Sequence, residues 1–464
     1  MKKLLFYTLI ILFFKYVNSQ NLTCNKCYFT DCPINCNDDL WFCNKDNYCL
    51  KKDFDIININ SNDILLFFLI SASVIISSLV GIGGGGLLLP IYLTIGNFGF
   101  DYSIPITIIT ICSSSFIRMI LLFNTKHPYS LKRYLIDFSI LMIIIPFDGS
   151  FAYFGFILNI ISPTWFLIIF ILLVLLTASI KTFKKAISQK KIEKLNNNNE
   201  NTIIIDGLSL IYNKLISIEI DGININLNED IYKDVTSSKV GENKKKRYKK
   251  FIFIIFLTLL ISIFSITKNY FKKCSNLFYL FNVIQFIILF SIGFFICKYN
   301  INEYNLKKKK NFIFLKGDIN WNKKKVIIFS VFSSFVGFVS TFLGIGGGML
   351  ISPFLIQMNI LPEVISATNS VSTFFSSFIS SIQYINSGKI LLNYSIISII
   401  ISSISSFIGL KLSFYIINKF KRRSYIIFFL AFIIFISTIL LIVISVNKII
   451  NGRTRNNFIS YCKL

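Results

Sequence analysis

Two glycine-rich stretches in this sequence could bind an anion through the protein backbone. The first reads GIGGGGLLLP at residues 81–90, and the second reads GIGGGMLISP at residues 344–353. Glycine lacks a Cβ and weakens a helix by about 1 kcal/mol relative to alanine, so each cluster predicts an interruption. A helix that restarts there presents free N–H groups and the positive end of its dipole to an anion. The candidate backbone contacts are Gly83, Gly84, Gly85, Gly346, Gly347 and Gly348.

The same glycines have a second interpretation, which is close packing between membrane helices. The two stretches align without a gap at a spacing of 344 − 81 = 263 residues, and each carries a proline, Pro90 or Pro353. Interruptions of this kind at corresponding positions of two hydrophobic halves are typical of transporter binding sites. The repetition therefore favours substrate contact, and the two roles are compatible.

Polar side chains that follow the glycine stretches supply further candidate contacts for the substrate. They are Ser113, Ser114, Thr368, Asn369, Ser370 and Gln383. Hydroxyl and amide groups donate hydrogen bonds to the oxygens of an oxyanion. Hydrogen bonding between neighbouring helices is an equally weighted alternative for each of these residues.

Two charged residues, Arg118 and Asp148, fall inside apolar stretches. Charges inside a membrane span are costly and usually functional. Arg118 either attracts an anion or extends its guanidinium group to the membrane surface, and the sequence leaves both alternatives open. Asp148 either carries a coupling proton or is a structural carboxylate held by hydrogen bonds, and the sequence favours the structural role.

Other kinds of active site have little support in the sequence. GIGGGG matches the G-x-G-x-x-G pattern of dinucleotide sites, but it lies in an apolar stretch, and Met349 replaces the last glycine in the second copy. The chain has one histidine, His127, and contains neither a G-x-S-x-G elbow nor an H-E-x-x-H pair. We therefore expect no enzyme activity, no cofactor and no metal site.

The elements that must position these residues are membrane helices. The 464 residues are 54% hydrophobic, with a mean hydropathy of +0.66. Apolar runs of membrane-spanning length recur along the chain, which predicts an all-α polytopic membrane protein. The apolar segments lie at 64–98, 104–123, 135–158, 163–180, 251–267, 278–297, 326–358, 364–385, 393–417 and 424–446.

The net charge of +26 comes largely from lysines in loops between apolar segments, as at 244–250 and 307–310. Basic loops of this kind face the cytosol under the positive-inside rule, so the charge does not indicate a nucleic-acid partner. The basic loops all reach the cytosol only if each glycine-rich segment enters and leaves the membrane on one side. Three crossings then follow in each half, and the two repeated halves are inverted.

The N-terminus predicts export into an oxidising compartment. Residues 1–19 read as a signal peptide, with an uncleaved signal anchor as the less favoured alternative. The polar segment that follows carries an N-glycosylation sequon at Asn21. Six cysteines behind a signal sequence predict a small disulfide-rich luminal segment with fifteen conceivable pairings. These cysteines are Cys24, Cys27, Cys32, Cys36, Cys43 and Cys49.

The resulting organisation has eight parts. They are the signal peptide (1–19), the Cys-rich segment (20–63), a first membrane repeat (64–180), a low-complexity cytosolic loop (181–250), two linking helices (251–297), a basic cytosolic loop (298–325), a second membrane repeat (326–446) and a tail (447–464). A chain of this kind is a multi-pass protein of the secretory pathway, in the plasma membrane or an endomembrane.

About two-thirds of the chain resembles the sulfite exporter TauE/SafE family, particularly its larger eukaryotic members. The resemblance implies a membrane transporter that exports sulfite or organosulfur anions, with a small anion and the lipid bilayer as partners. A membrane-anchored receptor or adhesion protein that uses the Cys-rich segment is the alternative. The oligomeric state is open. The matching stretches include GIGGGGLLLPIYL (81–93), NTKHPYSLKRYLIDFSILMIIIP (124–146), ISPTWFLIIFILLVLLTASIKTFKKAI (161–187), GFVSTFLGIGGGMLISPFLIQMNILPEVISATNSVSTFFSSFISSIQYINSGKI (337–390) and KRRSYIIFFLAFIIFISTILL (421–441).

Overall fold

The structure, a computed structural model, describes most of the membrane region and little of either terminus. The residues described are 41–43, 49–51, 61–81, 84–127, 130–197, 244–268, 275–310, 317–388 and 390–420, with single positions at 271, 312, 314, 315 and 458 and several between 428 and 443.

The described residues form eleven helices and two short β-hairpins. The first half contains α1 (Ser61–Val80), α2 (Gly85–Thr94), α3 (Phe100–Leu122), α4 (Phe138–Ile161) and α5 (Thr164–Asn197). The linking helices are α6 (Lys244–Thr267) and α7 (Asn276–Lys309). The second half contains α8 (Lys323–Leu343), α9 (Gly348–Gln357), α10 (Pro362–Asn386) and α11 (Leu392–Phe420). The hairpins pair β1 (Trp41–Cys43) with β2 (Cys49–Lys51), and β3 (Lys126–His127) with β4 (Ser130–Tyr134).

Within the part of the chain that the structure describes, eight helices are long and apolar enough to cross a membrane. These are α1, α3 to α8 and α11. The prediction of a helical multi-pass membrane protein is confirmed. Helix α10 is also 25 residues long, but its serines and threonines make it less apolar, and most of its side chains are buried. This serine- and threonine-rich helix therefore lies inside the bundle.

Helices α1, α3 and α11 run in the same direction. Tyr394, near the start of α11, donates a 3.1 Å hydrogen bond to Asp63 at the start of α1. Ser413, near the end of α11, donates a 2.9 Å hydrogen bond to the carbonyl of Leu79 at the end of α1. The ring of Phe98, just before α3, packs 4.9 Å from Tyr394. All three helices therefore begin at the same end of the bundle.

Helices α4, α8 and α10 run in the same direction as one another. The ends of α4 and α8 meet where Asn159 donates a 2.7 Å hydrogen bond to the carbonyl of Phe342. The ends of α4 and α10 meet where the rings of Phe156 and Tyr384 lie 5.1 Å apart. Because the C-terminal ends of all three helices meet at one end of the bundle, the helices are parallel.

These two groups of helices are antiparallel to each other. The rings of Phe116, late in α3, and Phe374, in the first half of α10, lie 5.2 Å apart. Cys112, earlier in α3, contacts Ser377, later in α10. Helix α3 is thus antiparallel to α10, and by the same contacts α1 opposes α8 and α4 opposes α11.

The unit formed by α1 and α2 returns to the end of the bundle at which it began. Asp63 at the start of α1 and Phe98 after α2 both contact Tyr394. The second unit does the same at the other end, because Trp321, just before α8, and Leu361, after α9, line one cavity.

The basic loops gather at one end of the bundle, which we call the basic end. Lys250, early in α6, donates a 2.9 Å hydrogen bond to the hydroxyl of Ser139 at the start of α4. Asn300, late in α7, donates a 3.0 Å hydrogen bond to the carbonyl of the same residue. The β3–β4 hairpin and the loop before α8 lie at this end as well. We call the other end, where α1, α3 and α11 begin, the opposite end.

Several element boundaries differ from the sequence expectations. Helix α5 continues past residue 180 to Asn197, and α7 continues past residue 297 to Lys309; lysine, a good helix former, recurs in both extensions. The fold was expected to be all-α, but the structure also contains the β3–β4 hairpin. Its sequence is not enriched in β-branched or aromatic residues, so it gave no strand signal.

The expected N-terminal features lie largely outside the described residues. These are the signal peptide, Asn21, Cys24, Cys27, Cys32 and Cys36, together with most of the 181–250 loop and the tail. In the β1–β2 hairpin the backbone of Cys43 lies opposite that of Cys49. The disulfides and the glycosylation remain predictions.

Candidate functional site

The two glycine stretches meet in the middle of the bundle. Gly85, the first residue of α2, packs so closely on the carbonyl of Ile345 that a Cβ would overlap it. Ile111, halfway along α3, lies beside both Gly85 and Gly346. The ends of α1 and α8 and the starts of α2 and α9 therefore converge near half the length of α3.

The backbone at each meeting point has a conformation that favours glycine. Gly84 has φ +89° and Gly346 has φ +72°, values that side-chain-bearing residues rarely adopt. The N–H of Leu88 donates to the carbonyl of Gly84 at 3.0 Å, and that of Ile351 donates to the carbonyl of Gly347 at 3.0 Å. Each half-helix thus starts immediately after its glycine turn.

Asn369 joins the two glycine stretches. Its side-chain Nδ2 lies 2.9 Å from the carbonyl oxygen of Gly81 and 3.1 Å from that of Gly348. The same nitrogen lies 2.7 Å from the hydroxyl of Ser352. Asn369 is fully buried in α10, so a single amide group bonds the Gly81 carbonyl at the end of α1 and also contacts the first turn of α9.

These contacts give the glycines a packing role, in line with the second interpretation of the sequence. Gly347 differs from Gly85, because a Cβ on Gly347 would lie 3.2 Å from Val336 and 3.4 Å from the Ser376 hydroxyl. Gly83 lies outside the described residues. Binding of an anion by the glycine backbone stays a prediction.

Three of the predicted polar contacts bond to neighbouring protein groups. Ser113 shares a hydrogen bond with Ser402 of α11, and the carbonyl of Ser114 accepts a 2.8 Å hydrogen bond from Ser406. The hydroxyl of Thr368 accepts a 3.0 Å hydrogen bond from the backbone N–H of residue 137. These contacts correspond to the helix-to-helix alternative and lie apart from the glycine stretches.

The two remaining predicted polar contacts behave differently from each other. The Ser370 hydroxyl donates a 2.7 Å hydrogen bond to the carbonyl of Ser366, one turn earlier in α10. Gln383 is 2% exposed, and neither side-chain Oε1 nor Nε2 has a hydrogen-bond partner among the described residues. Gln383 lies towards the opposite end of the bundle, so Asn369 is the predicted polar residue that contacts both glycine stretches.

Arg118 is fully buried in α3 and does not extend to the surface. One terminal nitrogen donates a 3.0 Å hydrogen bond to the hydroxyl of Ser115, and Nε and Nη1 have no hydrogen-bond partner in the described part of the chain. Arg118 lies seven residues, about two turns, beyond Ile111 on the same helix face. The buried guanidinium group of Arg118 therefore lies about two turns from the point where the glycine stretches meet, and both of its proposed roles stay predictions.

Asp148 lies in the middle of α4 and is 1% exposed. The Ser376 hydroxyl hydrogen-bonds its carboxyl group, while Oδ1 has no partner among the described residues. Its backbone carbonyl packs directly on Gly337 of α8. The contacts show a hydrogen-bonded carboxylate at a helix crossing, which leaves both of its proposed roles open.

Sequence reasoning missed two residues that organise this region. The hydroxyl of Tyr92 in α2 lies 2.8 Å from that of Thr110 in α3 and 2.9 Å from that of Ser398 in α11. Glu303, near the end of α7, contacts three lysines at the basic end. A tyrosine in an apolar run carries no distinguishing pattern, whereas a lone glutamate before a lysine run could have been noticed.

Comparison with known proteins places the chain among membrane transport proteins. The family model described as Sulfite exporter TauE/SafE matches residues 245–441. Sulfite exporter TauE/SafE family protein 1 of Arabidopsis thaliana is 27% identical over 388 residues, covering 82% of this chain and 82% of the relative. Family protein 3 of the same plant is 24% identical over 397 residues, covering 83% and 79%. No solved structure gives a significant match. The chain is therefore similar, over most of its length, to proteins of the sulfite exporter TauE/SafE family.

Proposed function

We propose that this protein exports small anions, of the sulfite or organosulfur class, along a path that passes between the two glycine stretches. The single observation that carries the proposal is the meeting of two broken helices from different halves, bridged by Asn369. Irregular backbone inside a membrane is tolerated where protein buries it or where it lines a cavity. A receptor that used only the Cys-rich segment would leave this arrangement without a purpose.

The helix directions support an inverted repeat. Helix α1 is antiparallel to α8, its counterpart in the second half. In the same way, α3 is antiparallel to α10, and α4 is antiparallel to α11. The contacts exchange in the same way, because α1 packs on α11 and α8 packs on α4. Inverted halves let a transporter open to either side by rocking one half against the other around a fixed site.

Buried polar atoms without protein partners mark the proposed path. In the described residues they include Nε and Nη1 of Arg118, the Ser372 hydroxyl and both amide atoms of Gln383. Buried polar groups are normally hydrogen-bonded, so such atoms need water, a substrate or an ion. An oxyanion could accept hydrogen bonds from Arg118, and these charge-assisted bonds are stronger than bonds between neutral groups.

We also propose that Asp148 carries a coupling proton, whose movement would drive the export of the anion. The carboxyl lies on α4 between α8 and α10, where helices of both halves meet. Protonation would remove a charge from this contact, and intramembrane carboxylates act in this way in proton-coupled transporters.

Sidedness follows from the basic end. Its lysines favour the cytosol under the positive-inside rule, so export would run from the basic end to the opposite end. Helix α1 begins at the opposite end, which supports a luminal or extracellular side for the preceding Cys-rich segment, and an oxidising environment there would suit its cysteines. The protein would reach the plasma membrane or an endomembrane through the secretory pathway.

Reconstitution into liposomes tests the proposed activity. The purified full chain should carry sulfite or a sulfonate down a concentration gradient, with flux at least about tenfold above protein-free liposomes. Sulfate, thiosulfate and carboxylates complete the panel and define the substrate class. Removal of residues 20–57 should leave flux intact, since the Cys-rich segment is not part of the path.

Two outcomes would count against the proposal. Correctly folded protein that carries none of these anions would contradict anion export. Flux that requires the Cys-rich segment would favour a role for that segment in recognition and would overturn the path between the glycine stretches.

A further inference from the structure

A second candidate binding site lies at the basic end, away from the glycine stretches. It is a cavity of about 230 Å³ between the β3–β4 hairpin, the start of α6, the end of α7 and the loop before α8. Its lining includes groups of both halves and of the linking helices, among them Arg133, Lys246, Lys307, Trp321 and Ile360. Pockets for drug-sized ligands are commonly about 300 Å³ or larger, so this cavity suits a smaller molecule.

Three lysines surround a single carboxylate in the wall of this cavity. Glu303 lies 3.2 Å from Lys246, 3.0 Å from Lys250 and 3.1 Å from Lys307. Three ammonium groups and one carboxylate leave two positive charges in excess. Glu303 and Lys250 are nearly fully buried, whereas the side chains of Lys246 and Lys307 are 42% and 30% exposed. The two outer lysines can therefore reach a ligand while still in contact with Glu303.

The other charged groups in the wall reduce this excess without removing it, because the Asp137 carboxylate offsets one of the two charges. Arg133 and Asp318 form their own ion pair at 2.7 Å. The Asp137 carboxylate accepts a 2.8 Å hydrogen bond from the backbone N–H of Ser139 and caps α4, where a helix N-terminus favours a negative charge. His127 also lines the cavity. The positive potential is therefore concentrated at the three lysines.

The remaining wall is largely apolar or aromatic. Phe312 lies 5.3 Å from the Lys307 ammonium group and 5.9 Å from the Arg133 guanidinium group. Trp321 is 7% exposed and packs 5.1 Å from the ring of Phe329. Apolar walls lower the local dielectric, which strengthens the attraction between the lysines and an anion.

We propose that this cavity binds a small oxyanion, such as sulfate or sulfite, from the cytosol, with Lys246 and Lys307 as the charged donors. The excess charge, the enclosed volume and the position at the cytosolic mouth of both halves support the assignment. The proposal does not depend on transport, because binding can be measured without flux.

Trp321 provides a direct reporter of occupancy. The chain has three tryptophans, so Trp41→Phe with Trp165→Phe leaves Trp321 alone. In detergent-solubilised full-length protein of this background, sulfate should change Trp321 fluorescence saturably, and chloride at equal ionic strength should not. Lys246→Gln with Lys307→Gln should raise the apparent Kd at least about tenfold, because each lost charge weakens a partly desolvated contact.

Lys308→Gln with Lys309→Gln is the matched control, since both lysines are exposed and neither contacts Glu303 in the structure. It should leave the sulfate response unchanged. Equal responses in the two double variants, or a response that chloride reproduces, would overturn the site. A response seen only on addition of anionic lipid vesicles would assign the cavity to a lipid headgroup instead and would also overturn it.

Discussion

Arg118→Gln should abolish anion flux without destabilising the protein. The guanidinium group is fully buried and leaves two of its nitrogens without protein partners, so it contributes positive charge to the site and little to the fold. Replacing an unpaired buried charge by a neutral group should leave thermal stability equal or higher. We expect flux in liposomes to fall at least about 100-fold, which corresponds to about 2.7 kcal/mol of lost stabilisation for the passing anion.

Two further variants define this result. Arg118→Lys keeps the charge but loses the forked geometry, and it should retain a measurable fraction of the flux. Lys411→Gln removes an exposed cation of α11 and should behave as the native protein. Normal flux in Arg118→Gln would exclude Arg118 from the path. A large loss of thermal stability would instead assign it a structural role.

Asn369→Ala should damage both stability and transport. The amide nitrogen contacts the carbonyls of Gly81 and Gly348 and the hydroxyl of Ser352, so its removal takes a donor from the Gly81 carbonyl and breaks the bridge to α9. Each unsatisfied buried group costs about 1–3 kcal/mol, so we expect a loss of about 2–5 kcal/mol in unfolding free energy and no detectable flux. Thermal unfolding in detergent and flux in liposomes measure the two effects.

Ser370→Ala is the matched control for this variant. Ser370 is the next residue of α10, and its hydroxyl donates to the Ser366 carbonyl one turn earlier in the same helix. Its removal should change unfolding free energy by less than about 1 kcal/mol and preserve flux. Asn369→Ala protein that matches this control in both measurements would show that the amide bridge does not hold the two glycine stretches together.

The sequence was informative where one local pattern determines the outcome. Runs of apolar residues predicted the helices, because a lipid environment requires internally bonded backbone. Clustered glycine predicted the interruptions near Gly84 and Gly346, because a positive φ favours a residue without a side chain. The similarity to the sulfite exporter TauE/SafE family was also accessible from these stretches.

Features that depend on distant contacts were not accessible. The bridge from Asn369 to Gly81 joins residues 288 positions apart, and periodicity within one helix carries no information about it. Burial of Arg118 depends on how α3 sits among its neighbours, so the sequence left two roles open. Serine-rich α10 resembles several polar helices until its packing shows that it lies inside the bundle.

The glycines illustrate both limits together. Sequence alone predicted that they interrupt helices, and it ranked anion contact above packing. The structure places Gly85 against the carbonyl of Ile345, which is a packing contact between the two halves. An added methyl group should be better tolerated at Gly347 than at Gly85. Loss of flux in a stable Gly347→Ala variant would therefore favour an anion contact over a purely structural role.

The central claim is that two oppositely oriented halves bring their broken helices together inside the membrane. If each glycine-rich segment enters and leaves on one side, Lys309 faces the cytosol and Ser387 faces outside. If each segment instead crosses once, the count of crossings places both residues outside. The contacts at the basic end already separate them, since Lys309 ends α7 beside the start of α6, and Ser387 follows the end of α10.

Labelling of single cysteines with a membrane-impermeant thiol reagent distinguishes the two arrangements. Lys309→Cys and Ser387→Cys are introduced one at a time into full-length protein in which Cys112, Cys274, Cys297 and Cys462 are replaced by serine, and the reagent is applied to intact cells or sealed, outside-out vesicles. We predict labelling at position 387 and protection at position 309 until the membrane is permeabilised. Labelling of both positions in intact membranes would contradict the inverted arrangement and the meeting of the two glycine stretches within the bilayer.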